Sequence, residues 1–218
     1  MPARNYGEYC GLAHALELVG ERWGMLVIRE LLTGPKRFTD LSRGLHRIPS
    51  NVLSARLKEL EQHGVVERRI LPRPSGSVVY ALTDYGRELD EVLIKLAGWG
   101  ARSAGEPREG DAVSVTAVVL GLRGIFRPES AGDLEATYEL RIGDIVAHAR
   151  VAGGELEVAD GPAADPDLTI EADTSLRRVL TGGHSDTIAL TGDPALFERF
   201  AEIFRIEQVP GSPVSEEA

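Results

Sequence analysis

Ser50, Asn51 and Ser54 place short hydrogen-bonding side chains at the start of a segment that continues with the cations Arg56 and Lys58. Leu53, Leu57 and Leu60 recur through the same stretch at helical spacing. Such a helix turns its leucines toward a core and offers donors and cations on its other side. Hydroxyl and amide groups early in a helix can reach base edges in a major groove, and cations can meet phosphates. More cations flank the segment: Arg37, Arg43 and Arg47 before it, and Arg68, Arg69 and Arg73 after it. Residues 36–73 hold nine basic and four acidic side chains, so the chemistry on offer is the binding of a polyanion rather than turnover.

The elements that must position these groups follow from periodicity and breakers. A first helix is expected over Cys10 to Val19 and a second from near Glu21, stopped by Gly34-Pro35. A third covers Phe38 to Gly44. The fourth begins at Ser50 as N-cap and ends at Gly64, a residue suited to a left-handed cap. Val65 to Leu71 and Ser77 to Leu82 read as two strands around a Pro72–Gly76 turn, in which Arg73 sits. Thr83 or Asp84 then caps one long helix whose apolar stripe runs through Tyr85, Leu89, Val92, Leu93, Leu96 and Trp99. A helix, turn, helix and hairpin in this order, with an apolar helix long for so small a core, predicts a DNA-binding winged helix and a dimer interface.

The chain has 218 residues, enough for two domains, and a net charge of −10. The charge is unevenly spread: residues 1–104 sum to +3 and residues 105–218 to −13. A mildly basic half and a strongly acidic half imply modules with different partners. No apolar run approaches membrane-spanning length and no secretory signal is visible, so a cytoplasmic chain without a membrane partner is expected. The single cysteine, Cys10, excludes an internal disulfide. His14, His46, His63, His148 and His184 form no metal-spaced pair, and neither a phosphate loop nor a nucleophile elbow is present. No cofactor, metal site or catalytic residue is expected, and the chain does not read as an enzyme.

Several strings carry a family resemblance. They are Ala15-Leu16-Glu17-Leu18-Val19-Gly20-Glu21-Arg22-Trp23, Gly34-Pro35-Lys36-Arg37-Phe38, Leu53-Ser54-Ala55-Arg56-Leu57-Lys58-Glu59-Leu60, Gly64-Val65-Val66-Glu67-Arg68 and Tyr80-Ala81-Leu82-Thr83-Asp84-Tyr85-Gly86. Together they resemble the HxlR-type winged-helix transcriptional regulators over about residues 8–100. The resemblance implies a homodimer formed by the first and last helices of the module, through Leu12, Leu16, Leu89, Val92, Leu96 and Trp99. It also implies binding to inverted-repeat operator DNA. Two positions depart from the family pattern: Gly11 stands where a proline often follows the cysteine, and Ser77 where the wing usually carries a base. The expected DNA contacts are Arg37, Arg47, Ser50, Asn51, Ser54, Arg56, Lys58, Arg69 and Arg73.

Ser103 to Asp111 lacks periodicity and reads as a linker, dividing a domain over 1–104 from one over 112–206. In the second, residues 115–126 fit a helix through Val115, Val118, Val119, Leu122 and Phe126, while Val113, Val115, Ala117 and Val119 also alternate as a strand would. Short antiparallel strands are expected over Ala136 to Ile142, Ile145 to Val151, Leu156 to Val158 and Leu168 to Ala172, with Gly143-Asp144 and Gly153-Gly154 as hairpin turns. A helix near Ser175 to Thr181, a strand at Ile188 to Leu190 and a helix from Pro194 to Ile203 complete an α+β fold. Tyr138-Glu139-Leu140-Arg141, Ala164-Asp165-Pro166-Asp167-Leu168-Thr169-Ile170 and Leu190-Thr191-Gly192-Asp193-Pro194-Ala195-Leu196 resemble sterol-carrier-protein-like domains. That resemblance implies an apolar cavity for a hydrophobic small-molecule effector, lined by Val118, Leu122, Phe126, Leu180, Phe197, Phe200 and Phe204.

The expected function is that of a dimeric, sequence-specific DNA-binding regulator that responds to a ligand through its acidic half. One alternative is a redox or electrophile sensor using Cys10, where Arg4 and a helix N-terminus would favour the thiolate. The other is a carrier or enzyme for a lipid-like molecule.

Overall fold

A computed structural model describes residues 5–72, 76–108, 110–173 and 175–209. The chain divides into two compact units, Met1–Leu93 and Ile94–Ala218. The division falls inside a helix rather than at the irregular segment that follows it.

The N-terminal unit holds α1 (Gly11–Val19), α2 (Gly24–Leu32), α3 (Phe38–Gly44), α4 (Ser50–Gln62), β1 (Val66–Ile70), β2 (Val78–Leu82), α5 (Asp84–Arg87) and the start of α6 (Asp90–Ala101). Val27, Ile28, Leu31, Leu41, Leu53, Leu57 and Leu60 are buried together with Val65 and Leu82, so each helix turns its periodic apolar face inward. α2 starts at Gly24, later than the expected Glu21. A tight turn intervenes, in which the Gly24 N–H donates to the Glu21 carbonyl at 2.8 Å and Trp23 takes φ +79°. A bulky residue with positive φ is strained, and burial of the flanking helices holds it there.

Two capping expectations change. Pro49, not Ser50, is the N-cap of α4: its φ of −64° suits helix entry, and its carbonyl accepts the Leu53 N–H at 2.9 Å. Ser50 is the first helical residue. The helix ends as expected, with Gly64 at φ +70° and the Val65 N–H donating to the Leu60 carbonyl. The predicted long helix from Thr83 is two. The Thr83 hydroxyl accepts the Gly86 N–H at 3.0 Å and donates to the Gly64 carbonyl at 2.6 Å, which ties α5 to the hairpin before α6 sets off at Asp90. β1 and β2 pair antiparallel from Val66↔Leu82 to Ile70↔Val78.

The C-terminal unit continues α6 into an irregular segment, then α7 (Val115–Ile125), α8 (Pro128–Ala131), β3 (Ala136–Ile142), β4 (Ile145–Ala152), β5 (Glu155–Asp160), β6 (Leu168–Ala172), α9 (Leu176–Leu180), β7 (Ala189–Gly192) and α10 (Ala195–Ile203). The open choice over 115–126 resolves as helix: Ser114 caps it by accepting the Ala117 N–H, and Val119, Leu120 and Leu122 are buried. The five strands form one sheet in the order β5-β4-β3-β6-β7. All neighbours are antiparallel except β3 and β6, which pair in parallel from Tyr138↔Leu168 to Ile142↔Ala172. The wholly antiparallel expectation fails here because β6 returns past the β4–β5 hairpin to the free edge of β3. Tyr138, Leu140, Leu168, Ile170, Leu176, Leu180, Phe200 and Phe204 form the core between sheet and helices.

Helices α6 and α7 cross backbone to backbone. A Cβ on Gly124 would lie 2.8 Å from the Gly98 nitrogen, closer than packed atoms approach, so neither position has room for a methyl group.

Candidate nucleic-acid interface and two pockets

On α4, Leu53, Leu57 and Leu60 face the core, while Ser50, Asn51, Ser54, Ala55 and Lys58 are exposed. The exposed set recurs at three- and four-residue spacing and forms one stripe. Ser54 donates its hydroxyl to the Ser50 carbonyl at 2.9 Å, leaving its oxygen able to accept. Arg56 stands apart from this stripe. Its side chain is 16% exposed and pairs with Glu59 at 2.6 Å and with Glu21 at 3.5 Å. Arg37 and Arg47 lie on the surface before α4. On the hairpin, Arg68 stacks over the Tyr80 ring and Arg69 pairs with Glu67, Nε to Oε1 at 2.7 Å. Arg73 lies outside the described residues.

A buried acid braces this surface from behind. Glu30 is 1% exposed and accepts from Arg29 at 2.7 Å and from Lys36 at 3.2 Å. Burial alone would raise its pKa, but the two cations and their hydrogen bonds outweigh it and hold the carboxyl below its usual value. Lys36 also exchanges backbone hydrogen bonds with Tyr80, so the segment entering α3 is pinned to strand β2. Sequence reasoning missed this network. Its only sign was an acid among Val27, Ile28 and Leu31 on an apolar helix face.

Leu12 and Leu16 on α1 are exposed, as are Val92, Leu96 and Trp99 on α6, the last at 69%. Leu89, in the turn before α6, is half-buried. Cys10 is the exposed N-cap of α1. The backbone N–H groups of Ala13 and Leu12 stabilise its thiolate and lower its pKa. Arg4, once expected near it, lies outside the described residues.

The C-terminal unit contains an apolar cavity of about 300 Å³ between α7, α9, β3 and the end of α6. Val118, Leu122 and Leu180 line it, with Ala101, Gly121, Leu140 and Ile142; Asp173 and Arg177 are its charged groups. The phenylalanines do not join them. Phe200 and Phe204 are fully buried, with ring centroids 4.6 Å apart, and Phe200 packs on Tyr138 at 5.2 Å. Phe197 packs against the same core. These rings fill the fold because α10 turns its whole apolar stripe onto the sheet. Arg177 donates to the Ala101 carbonyl at 2.8 Å and to that of Ala104, which fastens α9 to the end of α6. Phe126 lines a second pocket of about 330 Å³, with Trp99, Lys95, Arg102, Arg127, Arg205 and Glu207. Among the described residues no cluster of three His, Cys, Asp or Glu side chains could hold a metal, and no helix is long and apolar enough to cross a membrane.

A helix-turn-helix followed by an antiparallel hairpin, with a polar and cationic stripe on the second helix, defines a winged-helix DNA-binding module. Residues 18–107 match the protein-family model described as HxlR-like helix-turn-helix. The HTH-type transcriptional regulator YodB of Bacillus subtilis (strain 168) is 41% identical over 85 residues, covering 39% of this chain and 76% of the relative. YvaP of the same organism, an uncharacterized HTH-type transcriptional regulator, is 36% identical over 96 residues, covering 44% and 89%. The chain belongs to the HxlR-like helix-turn-helix family of transcriptional regulators. The solved reduced form of YodB from B. subtilis is 36% identical, covers 48% of this chain and 100% of that one, and superposes with a TM-score of 0.40. Each of these matches leaves more than half of the chain uncovered.

Proposed function

We propose that this regulator works as a homodimer on operator DNA and that its C-terminal unit, a sterol-carrier-like module, binds a small apolar effector. The exposed stripe Ser50, Asn51, Ser54 and Lys58, backed by buried leucines, carries the reading. It supplies donors and acceptors for base edges near the N-terminus of α4 and a cation for phosphate one turn later. In this reading Arg37, Arg47 and Arg69 contact the flanking backbone, whereas Arg56 steadies α4 through Glu21 and Glu59. The exposed Leu12 and Leu16 of α1 and Val92 and Leu96 of α6 form the dimer contact, since large apolar side chains left in water favour association. The effector occupies the cavity beside Val118, Leu122 and Leu180. It regulates by preferring one dimer geometry over the other.

A gel shift of the purified chain on its own upstream DNA, with and without a cell extract of its host, tests the reading. A retarded band competed by that sequence and not by random DNA supports it; equal competition by both removes sequence-specific function.

Cys10 favours a second reading, in which the regulator senses oxidants or electrophiles. Its exposure and its thiolate-stabilising position at the α1 N-terminus are the observations behind it. Cys10→Ser should then abolish a response to diamide or a quinone while basal operator binding persists. Wild-type binding that ignores both reagents rejects this reading.

A further inference from the structure

The second pocket of the C-terminal unit is chemically unlike the apolar cavity. Its walls bring together Lys95, Arg102, Arg127 and Arg205, the rings of Trp99 and Phe126, and a single carboxylate, Glu207. This is a reversal of its surroundings, because residues 105–218 carry 22 acidic and nine basic side chains. Glu207 satisfies only part of the cationic set: its carboxylate pairs with Arg127, and its carbonyl accepts from Arg102 Nε at 3.1 Å. Lys95 and Arg205 have no ion-pair partner among the described residues. The guanidinium of Arg205, an exposed residue, lies beside Gly182, whose lack of a side chain leaves room for it. Four like charges around one pocket repel each other, and an anion between them lowers that energy. The exposed Trp99 and the half-buried Phe126 add apolar ring surface at the same place.

We propose that this pocket binds a small organic anion carrying a planar apolar group, such as an aromatic carboxylate. Lys95 and Arg205 hold the anionic head, Arg127 assists, and the ring of the ligand covers Trp99 and Phe126. The volume of about 330 Å³ suits a one- or two-ring molecule, at the small end of ligand pockets. Arginine beside an aromatic wall suits this ligand class, because the guanidinium both pairs with a carboxylate and tolerates a ring face. The proposal concerns the C-terminal unit alone and needs neither operator binding nor occupation of the apolar cavity.

Naphthoate titrated into the full-length chain tests it, followed by calorimetry and by Trp99 fluorescence, with Trp23→Phe removing the other tryptophan. Saturable binding of one molecule per chain is expected, weakening as salt rises. The double variant Lys95→Gln/Arg205→Gln should bind at least about tenfold more weakly, the loss expected when charge-assisted hydrogen bonds to the head are removed. Lys95→Glu alone should weaken binding in the same direction; Lys95 is an exposed helix residue, so this variant leaves Arg205 beside Gly182 untouched. Naphthylmethanol, a neutral compound of nearly the same shape, should bind far less tightly. No binding at millimolar naphthoate overturns the proposal. So does binding that these variants leave unchanged, or equal binding of the neutral compound, which would place the ligand in the apolar cavity instead.

Discussion

The carboxylate of Glu30 occupies the space where a side chain at Gly44 would stand: a Cβ there would lie 2.5 Å from Glu30 Oε2. α2 thus presses an ionised, buried acid onto the last residue of α3, just before the turn that launches α4. Gly44 is needed for closeness, and Glu30 is needed because Arg29 and Lys36 meet on it.

Removing that charge should be costly. Glu30→Gln keeps the shape but leaves two part-buried cations short of their counter-ion, and should destabilise the N-terminal unit by roughly 3 kcal/mol, the low end for breaking a buried pair. Urea unfolding measures it. The pH dependence has a definite sign. The folded-state pKa of Glu30 is lowered, so its contribution is present above the ordinary glutamate range and fades as pH falls through the depressed value. Wild type should lose stability on acidification in that window and the Gln variant should lose less. Equal acid profiles would contradict the assignment.

Lys58 and Arg56 should separate cleanly although they lie two residues apart. Lys58→Ala should lower operator affinity and flatten the salt dependence by about one unit of slope, as for one lost phosphate contact. Arg56→Ala should leave that slope unchanged and instead lower the unfolding midpoint, because its guanidinium is engaged by Glu21 and Glu59. Asn51→Ala should cost roughly 1–3 kcal/mol at one base pair and relax discrimination there. Fluorescence anisotropy over a salt series distinguishes the three.

Val92→Glu and Leu96→Glu place a charge on the exposed face of α6 and should convert a dimer to monomers in sedimentation velocity. Neither side chain is in a core, so the unfolding midpoint of the monomer should change little. A wild-type chain that sediments as a monomer at all concentrations would dispose of the dimer.

Val118→Trp should fill the apolar cavity. Uptake of phenylnaphthylamine, followed by its fluorescence, should fall while basal DNA binding remains. The larger side chain is expected to cost about 1–3 kcal/mol if the cavity does not accommodate it fully. Unchanged dye uptake would place the dye elsewhere.

How much of this was legible beforehand depended on how local the cause was. α3, β3 and β6 appear at the expected residues because helical spacing, alternation and glycine turns act over a few positions. α7 stayed ambiguous because valines at 113, 115 and 119 satisfy both periods, and burial of Val119, Leu120 and Leu122 decides between them. The parallel pairing of β3 with β6 depends on where a whole hairpin folds, which no local pattern encodes. Phe200 and Phe204 have the same spacing whether they fill a core or line a cavity. Lys95, Arg102, Arg127 and Arg205 are scattered over more than a hundred positions and become one cationic pocket only after folding.

The glycine contact between α6 and α7 leaves these helices no cushion of side chains at their crossing. A side chain at either glycine would force the two backbones apart, so the spacing of the helices is set at this point. Ala101 lies just past the crossing, at the wall of the apolar cavity, and Leu96 just before it, on the outward face. At about 1.5 Å of rise per residue the two positions are less than two turns apart on one helix. Widening the crossing would therefore shift the cavity wall and the outward face as one piece.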